Sequence, residues 1–328
     1  MPPMSSVHVE TPAPHPGEEE ASGADALRRA TWITAHLPTG LFEFGVRRTH
    51  GNTKPDHATV ERSLVTRSRH RGIPVTWIDR ENANRGVLIH LHGGTYVKGE
   101  HPDHWDWLAD MRRRGGMAVA MLHYRLPPEM PFPAAYDDAV EGVLGIVEDF
   151  APYTPRWVLS GDSAGAGLAL AVAQTLRDRD EQRPSALVLT APWVDLTLND
   201  PRIAEQEEKD PALSRETLAR SAALYADGFD LEDPRLSPLF RDLRDLPPVH
   251  LTVGDQDILL GDALRLRDGL ADAGTEVTWL EQPGGWHCYP MVWRGPVSQY
   301  ARRRQIAFVR EALRFDVPVN EGRRAAAH

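Results

Sequence analysis

Cysteine and lysine are both scarce in this chain of 328 residues. Cys288 is the only cysteine, which excludes an intrachain disulfide and is typical of proteins from a reducing compartment. The three lysines are Lys54, Lys98 and Lys209, whereas arginine is abundant. We interpret this imbalance as the base composition of a GC-rich genome and assign it no function. The cytoplasm is the location that these features favour.

Long apolar runs are also missing. No run of about 18 apolar residues occurs, so the sequence predicts no membrane span. The N-terminal stretch MPPMSSVHVETPAPHPGEEE has neither a basic region nor an apolar core, and so does not resemble a secretory signal. The formal net charge of −10 and the pI of about 5.8 argue against the basic face that a nucleic-acid partner requires.

Apolar runs and helix-like stretches alternate along the chain. Strand-like runs lie at 62–68, 73–79, 86–93, 117–124, 156–161, 185–192, 248–255 and 276–282. Helix-like stretches lie at 134–150, 164–180, 261–274 and 299–315. Runs such as VLIHL and ALVLT are apolar on both faces, which suits parallel strands covered by helices. The sequence therefore predicts an α/β fold with an eight-stranded, mostly parallel sheet and helices on both faces.

Composition also divides the chain into tails, cap segments and a main domain. Residues 1–22 are rich in proline and glutamate, so we expect a disordered tail there, and a flexible tail at 319–328. Residues 23–60 should form N-terminal cap helices, and residues 61–318 the main α/β domain. A polar, helix-prone insertion at about 199–230 interrupts two buried strands. Such an insertion often lies over the end of a sheet as a lid, so we expect it to complete a helical cap.

The stretch WVLSGDSAGAGLALAV at 157–172 places Ser163 between two glycines, after a strand and before a helix. One interpretation is a helix N-cap, for which serine is a common residue. The other is the G-x-S-x-G turn that exposes a nucleophilic serine at the start of a helix. The cap interpretation leaves the flanking glycines unexplained. We therefore take Ser163 as the candidate nucleophile.

A serine nucleophile needs a base, and the base needs an acid to orient it. In α/β-hydrolases these partners follow the serine in the order acid, then histidine. LTVGDQDILLGD places Asp255 and Asp257 beyond a predicted strand, and spacing alone does not choose between them. LEQPGGWHCYP places His287 in a glycine-rich loop after the last predicted strand. The order and the placement both fit a catalytic triad.

An oxyanion hole is the third requirement of acyl transfer. LIHLHGGTYVKG ends a predicted strand with His92, Gly93 and Gly94. The two glycines let the backbone turn its amides toward an anion, and the amide of Ala164 adds a third donor. HPDHWDW at 101–107 resembles a metal site, yet a helix start capped by Asp103 explains it more simply. We expect neither a metal nor a cofactor, because this mechanism requires none.

From about residue 73 to 315 the chain resembles the hormone-sensitive-lipase-like esterases, a bacterial family with H-G-G-G and G-D-S-A-G motifs. HYRLPPEMPFPAAYDDA, LSPLF and LPPVHLTVGDQDILLGDA also match motifs of that family. The resemblance implies an α/β-hydrolase fold with Ser163 as nucleophile and His287 as base. It selects Asp257 as the acid and supports Gly93, Gly94 and Ala164 as oxyanion donors. It also implies a homodimer formed through the last strand and helix.

The chain departs from the family pattern at two positions near these motifs. Thr95 stands where the third glycine is common, and a positive φ there would strain a threonine. Cys288 follows the base where glycine is common, and we expect it to be a small buried side chain. The resemblance also suggests that Arg125 and Glu129 form a structural ion pair.

These features predict a serine hydrolase that cleaves small-molecule carboxylic esters, with short acyl chains because a cap leaves limited room. One alternative is a hydrolase specialised for a lactone, a carbamate or an O-acetyl group of a metabolite. Another alternative is a ligand-binding pseudo-hydrolase without catalysis. Reaction of Ser163 with a fluorophosphonate would separate the last alternative from the others.

Overall fold

The computed structural model describes residues 7–14, 24–50, 53–56, 60–150 and 156–315. Within these residues the strands join into one sheet of nine. They are β1 (Val7–Val9), β2 (Val65–His70), β3 (Ile73–Ile78), β4 (Val87–Leu91), β5 (Ala118–Leu122), β6 (Trp157–Asp162), β7 (Ala186–Thr190), β8 (Val249–Gly254) and β9 (Val277–Gln282). Their order is β1-β9-β8-β7-β6-β4-β5-β3-β2. Only the β2–β3 and β3–β5 pairings in this sheet are antiparallel.

The predicted fold class is confirmed, and all eight predicted strands are present. The helices of the described residues are α1 (Ala24–Ala35), α2 (Thr39–Arg47), α3 (Pro102–Asp110), α4 (Ala134–Phe150), α5 (Ala164–Asp178), α6 (Ile203–Lys209), α7 (Arg215–Ala226), α8 (Leu260–Asp272), α9 (Tyr289–Val292) and α10 (Pro296–Ala312). None of these helices is both long enough and apolar enough to cross a membrane.

The ninth strand, β1, corrects the expectation of a disordered tail over 1–22. Val7–Val9 pair in parallel with β9, and the amide of Glu10 continues the ladder to the carbonyl of Trp279 at 2.8 Å. Glu10 is buried, and its carboxylate contacts Arg304 and His250. A strand is added to a sheet edge through backbone hydrogen bonds, and amino-acid composition does not predict this pairing. Most of the two predicted tails lies outside the described residues.

β1 also bears on the homodimer that the resemblance implied. An unpaired strand at the edge of a sheet can pair with the same strand of a second copy. In this chain β1 occupies that edge of β9, so β9 is an interior strand. A dimer through the edge of the last strand would have to displace β1, and the oligomeric state stays a prediction.

The two faces of the sheet bury different helices, as the alternation of strand side chains requires. Val87 and Ile89 of β4 pack into a core with α4, α5 and α8. Leu88, between them, packs into the opposite core with α3 and α10. All positions of β4, β5, β6, β7 and β8 are buried, which explains why their sequences are apolar on both faces.

The N-terminal helices and the insertion lie against each other over the carboxyl ends of the strands. Thr31 of α1 donates its hydroxyl to the carbonyl of Ala212 at 3.0 Å. Arg220 of α7 donates to the carbonyl of Leu37 at 2.7 Å and lies over the ring of Phe42 of α2. We call α1, α2, α6, α7 and the loop between α6 and α7 the cap.

The ion pair expected between Arg125 and Glu129 is wrong. Arg125 donates instead to Asp138 of α4, through Nε at 2.8 Å and Nη2 at 2.7 Å. The carboxylate of Glu129 lies 3.3 Å from Nε of Arg47, at the end of α2. Glu129 therefore connects the catalytic domain to the cap, a contact between distant segments that local spacing does not reveal.

Candidate active site

The turn from β6 to α5 holds Ser163 in a strained backbone conformation, with φ of 52° and ψ of −122°. Its side chain makes no hydrogen bond that caps α5, so the helix-cap interpretation is wrong. A Cβ on Gly161 would overlap the carbonyl of Gly165, and a Cβ on Gly165 would overlap that of Leu91. Both glycines are therefore required for the turn, which stores strain where a reactive side chain is displayed.

Three of the predicted site residues meet at this turn. Nε2 of His287 lies 2.9 Å from Oγ of Ser163. Its Nδ1 lies 3.0 and 3.1 Å from the two carboxylate oxygens of Asp257, which is fully buried. Asp255 lies apart from them, and its Oδ1 accepts the amide of Gly284 at 2.7 Å. The geometry therefore selects Asp257 over Asp255 as the partner of the imidazole.

The environment of His287 makes its imidazole a stronger base. Burial lowers the pKa of His287, but its contacts with Cys288 and Asp257 outweigh burial and raise it well above the usual value. Burial raises the pKa of the Cys288 thiol to about 12, so the thiol is uncharged at neutral pH. Asp257 is therefore the charge that stabilises the imidazolium, and protonation at low pH should disable the base.

The loop after β4 differs from the prediction at Gly93. The amide of Gly93 donates to Oδ1 of Asp162 at 2.9 Å, so it is not available to an oxyanion. Among the described residues no acceptor contacts the amides of Gly94, Thr95 or Ala164. These three are the free donors beside Ser163. The oxyanion hole that the geometry supports replaces Gly93 with Thr95 and keeps the other two predicted residues.

Both departures from the family pattern have left-handed backbone. Thr95 has φ of 54° and Cys288 has φ of 55°, a conformation that costs a β-branched residue more than glycine. Oγ of Ser221, on α7, donates to Oγ1 of Thr95 at 3.3 Å, so the cap holds the strained residue. The thiol of Cys288 lies 3.5 Å from Nε2 of His287. Since an oxyanion would bind the amide of Thr95, its side chain does not remove the donor.

A buried ion pair positions the oxyanion loop. Nε2 of His104, on α3, lies 3.2 Å from Oδ1 of Asp162, the same oxygen that accepts the amide of Gly93. Burial would raise the pKa of Asp162, but His104 and His90 hold it well below its usual value. The sequence did not predict a role for His104, because a cap by Asp103 was the simpler interpretation of this helix start. The N-cap of α3 is His101, whose ring accepts the amide of Asp103.

Two clusters of the described residues have ligand atoms close enough to hold a metal ion. They are His90, His104 and Asp162, and Asp210, Asp257 and His287. In both clusters the carboxylates already accept hydrogen bonds from backbone amides. We assign the first cluster to support of the oxyanion loop and the second to the triad.

A second carboxylate, Asp210, lies beside the triad and was not predicted. It follows α6 in the cap and is 2% exposed. Its Oδ2 accepts the amide of Ile258 at 2.9 Å, next to Asp257. Burial and the charge of Asp257 raise the pKa of Asp210 to about 7. Asp210 thus links the cap to the loop that carries Asp257. The local sequence DPALS at 210–214 gave no signal that Asp210 accepts a hydrogen bond from Ile258, 48 positions away.

Replacing Asp210 with asparagine should move the acid limb of kcat/KM to lower pH. The change removes a carboxylate that is negatively charged above its pKa of about 7 and lies beside Asp257 and His287, so above that pH it lowers the pKa of the imidazole that must be unprotonated to act. The uncharged thiol of Cys288 adds nothing at this pH. Initial rates from pH 5 to 9 measure the limb. Asp255→Asn is the control. Because the carboxylate of Asp255 accepts the amide of Gly284 and lies apart from His287, this variant should leave the acid limb of kcat/KM in place. An unmoved limb in Asp210→Asn would exclude electrostatic coupling.

A cavity of about 390 Å³ opens onto Ser163 and His287. The cap contributes Leu27, Ala212 and Leu213 to its wall. Its volume lies near the lower end of the range for small-molecule sites. The site is therefore a covered cleft with apolar cap residues on one side and the triad on the other.

The chain matches the family model described as "alpha/beta hydrolase fold" over residues 88–291. An acetyl-hydrolase from Streptomyces hygroscopicus is 38% identical over 227 residues, which are 69% of this chain and 75% of that protein. An esterase from Acinetobacter venetianus is 36% identical over 209 residues, which are 62% of this chain and 68% of that protein. The crystal structure of an esterase from the bacterial hormone-sensitive lipase family superposes with a TM-score of 0.77. It is 29% identical and covers 91% of this chain and 99% of its own.

Proposed function

The chain belongs to the α/β-hydrolase family, among the esterases of the hormone-sensitive-lipase type, and we propose that it hydrolyses esters of short acyl chains with Ser163 as nucleophile. It is an ester-hydrolysing enzyme, as its relatives are. The assignment of residues rests on one observation. The imidazole of His287 contacts Oγ of Ser163 through Nε2 and the carboxylate of Asp257 through Nδ1.

In acylation, Nε2 of His287 accepts the proton of Ser163 as Oγ attacks the acyl carbonyl. The negative oxygen of the tetrahedral intermediate is bound by the amides of Gly94, Thr95 and Ala164. Amides already fixed in place stabilise this charge without reorganisation, which is the largest contribution to catalysis in many such sites. The imidazolium then donates its proton to the departing alcohol.

In deacylation the same groups act on water. His287 removes a proton from a water molecule, which attacks the acyl-enzyme, and Ser163 leaves with the proton that the imidazolium returns. Throughout both steps Asp257 accepts Nδ1–H, which holds the ring in the required tautomer and stabilises its charged form. The products are a carboxylic acid and an alcohol.

The size of the cavity supports short acyl chains. With 4-nitrophenyl esters from acetate to dodecanoate, kcat/KM should peak at two to four carbons and fall at least about tenfold by eight. Longer chains would have to displace cap residues such as Leu213. Initial rates at matched substrate concentrations, below micelle formation, measure the profile. A maximum at eight carbons or more would contradict the proposal of a short acyl pocket.

An acetyl group on a larger metabolite is the second candidate substrate. The relative from Streptomyces hygroscopicus is named an acetyl-hydrolase, which favours this candidate over lactones and carbamates. The same triad would hydrolyse the acetyl ester of a larger alcohol. Comparison of acetylated alcohols of increasing size with simple acetate esters distinguishes the two, because only a specialised enzyme gains from the larger alcohol. The assembled triad argues against the pseudo-hydrolase alternative.

A further inference from the structure

Lys98 lines the same cavity as Ser163 and His287. It ends a turn of the oxyanion loop, where its amide donates to the carbonyl of Gly94 at 2.8 Å. The chain has only three lysines, and a hydrolytic triad needs none of them. The general scarcity of lysine therefore does not explain why one of the three stands at the active site.

The ammonium group of Lys98 has no anionic partner in the part of the chain that the structure describes. Its side chain is partly buried, and burial lowers its pKa with no opposing charge. The two acids that share its cavity are both engaged. Asp103 accepts from Arg294 at 2.6 Å, and Asp162 accepts from His104 and from the amide of Gly93.

A cation that is partly removed from water without a counter-ion is unfavourable, and an anion in the cavity would relieve that cost. Lysine acts as a point charge with three donors, so it can bind a carboxylate in several orientations. The nearby carboxylates of Asp103 and Asp162 favour a singly charged ligand over a doubly charged phosphate. A cavity of about 390 Å³ also limits the ligand to a small molecule.

We propose that Lys98 binds a carboxylate of the substrate, so that the enzyme acts on small esters that carry a free carboxylate besides the ester group. This inference rests on the proposed function, since it names the substrate class of the same site. The carboxylate belongs either to the acyl half of the ester, as in a dicarboxylic acid monoester, or to the alcohol half. Lys98 is then a determinant of specificity and takes no part in proton transfer.

Two matched pairs of esters test the proposal. In the first pair, mono-4-nitrophenyl glutarate carries the carboxylate on the acyl half, and 4-nitrophenyl valerate is the neutral ester. In the second pair, 4-acetoxybenzoate carries it on the alcohol half, and 4-acetoxybenzamide is the neutral ester. The measured quantity is the ratio of kcat/KM for the anionic ester to that for its neutral partner. A ratio cancels losses of activity that affect both esters.

Lys98→Met should lower this ratio about 10- to 100-fold in one pair, the loss expected for a hydrogen bond to a charged group. Lys98→Arg keeps the charge and should retain part of the preference. Lys54→Met removes an exposed lysine and should leave both ratios unchanged. The pair that responds identifies which half of the ester carries the anion.

An unchanged ratio in both pairs for Lys98→Met would overturn the proposal. If the variant hydrolyses neither ester, inhibition is measured in Lys98→Arg, where glutarate should compete with the valerate ester more strongly than glutaramide does. Equal inhibition by the two compounds would also overturn it. Failure of the proposed function is distinguishable, because wild-type enzyme would then hydrolyse neither neutral ester in a manner that depends on Ser163.

Discussion

Replacement of Ser163 with alanine should lower the hydrolysis of 4-nitrophenyl acetate by at least about 10³-fold. The change removes the hydroxyl oxygen that lies 2.9 Å from Nε2 of His287, and with it the acyl-enzyme. The oxyanion amides and the cavity remain, so some rate above that of water is expected. Alanine also fits the strained backbone no worse than serine. Initial rates on purified, folded protein measure the loss.

A fluorophosphonate probe supplies the control for this prediction. Wild-type protein should be labelled at Ser163, and the alanine variant should not react. Ser298→Ala removes another buried serine, in α10, whose hydroxyl donates to the carbonyl of Gly295. It should retain both the label and the activity. Retention of more than a few per cent of activity by Ser163→Ala would defeat the assignment of the nucleophile.

Replacement of Asp257 with asparagine should lower kcat by about 10³- to 10⁴-fold, as the loss of the acid does in other serine hydrolases. An asparagine amide facing Nδ1 would favour the tautomer that carries its proton on Nε2. His287 could then no longer accept the proton of Ser163. The free energy of unfolding should change much less than the rate, because the two side chains have nearly the same shape.

Asp255→Asn is the matched control for Asp257. Its carboxylate accepts the amide of Gly284 at 2.7 Å, and the carbonyl oxygen of asparagine can accept the same amide. This variant should therefore keep activity within a few-fold of wild type. Equal losses from both variants, with both proteins folded, would mean that the loop after β8 acts as a unit and that the acid is not assigned.

The sequence alone contains most of the information on the fold and on the triad. The strands from β4 to β8 are buried on both faces, so their patterns are continuous apolar runs that are easily recognised. Ser163 is marked by glycines whose added Cβ atoms would overlap the backbone. His287 is marked by its order in the chain, after the acid and the last strand. The strand patterns and the glycines of the turn act within a few residues, so they leave local signals, and the order of the triad residues is read directly along the chain.

The tertiary structure decided the features that depend on contacts between distant segments. The amide of Gly93 donates to Asp162, 69 positions away, so we propose Thr95 in its place as an oxyanion donor. Asp210 contacts the loop of Asp257 from the cap, and Val7–Val9 join the sheet through backbone pairing with β9. Nothing in the residues next to these positions encodes their partners, because a hydrogen bond across the fold imposes no spacing along the chain. Whether an amide is free or occupied therefore becomes known only when the segments have packed together.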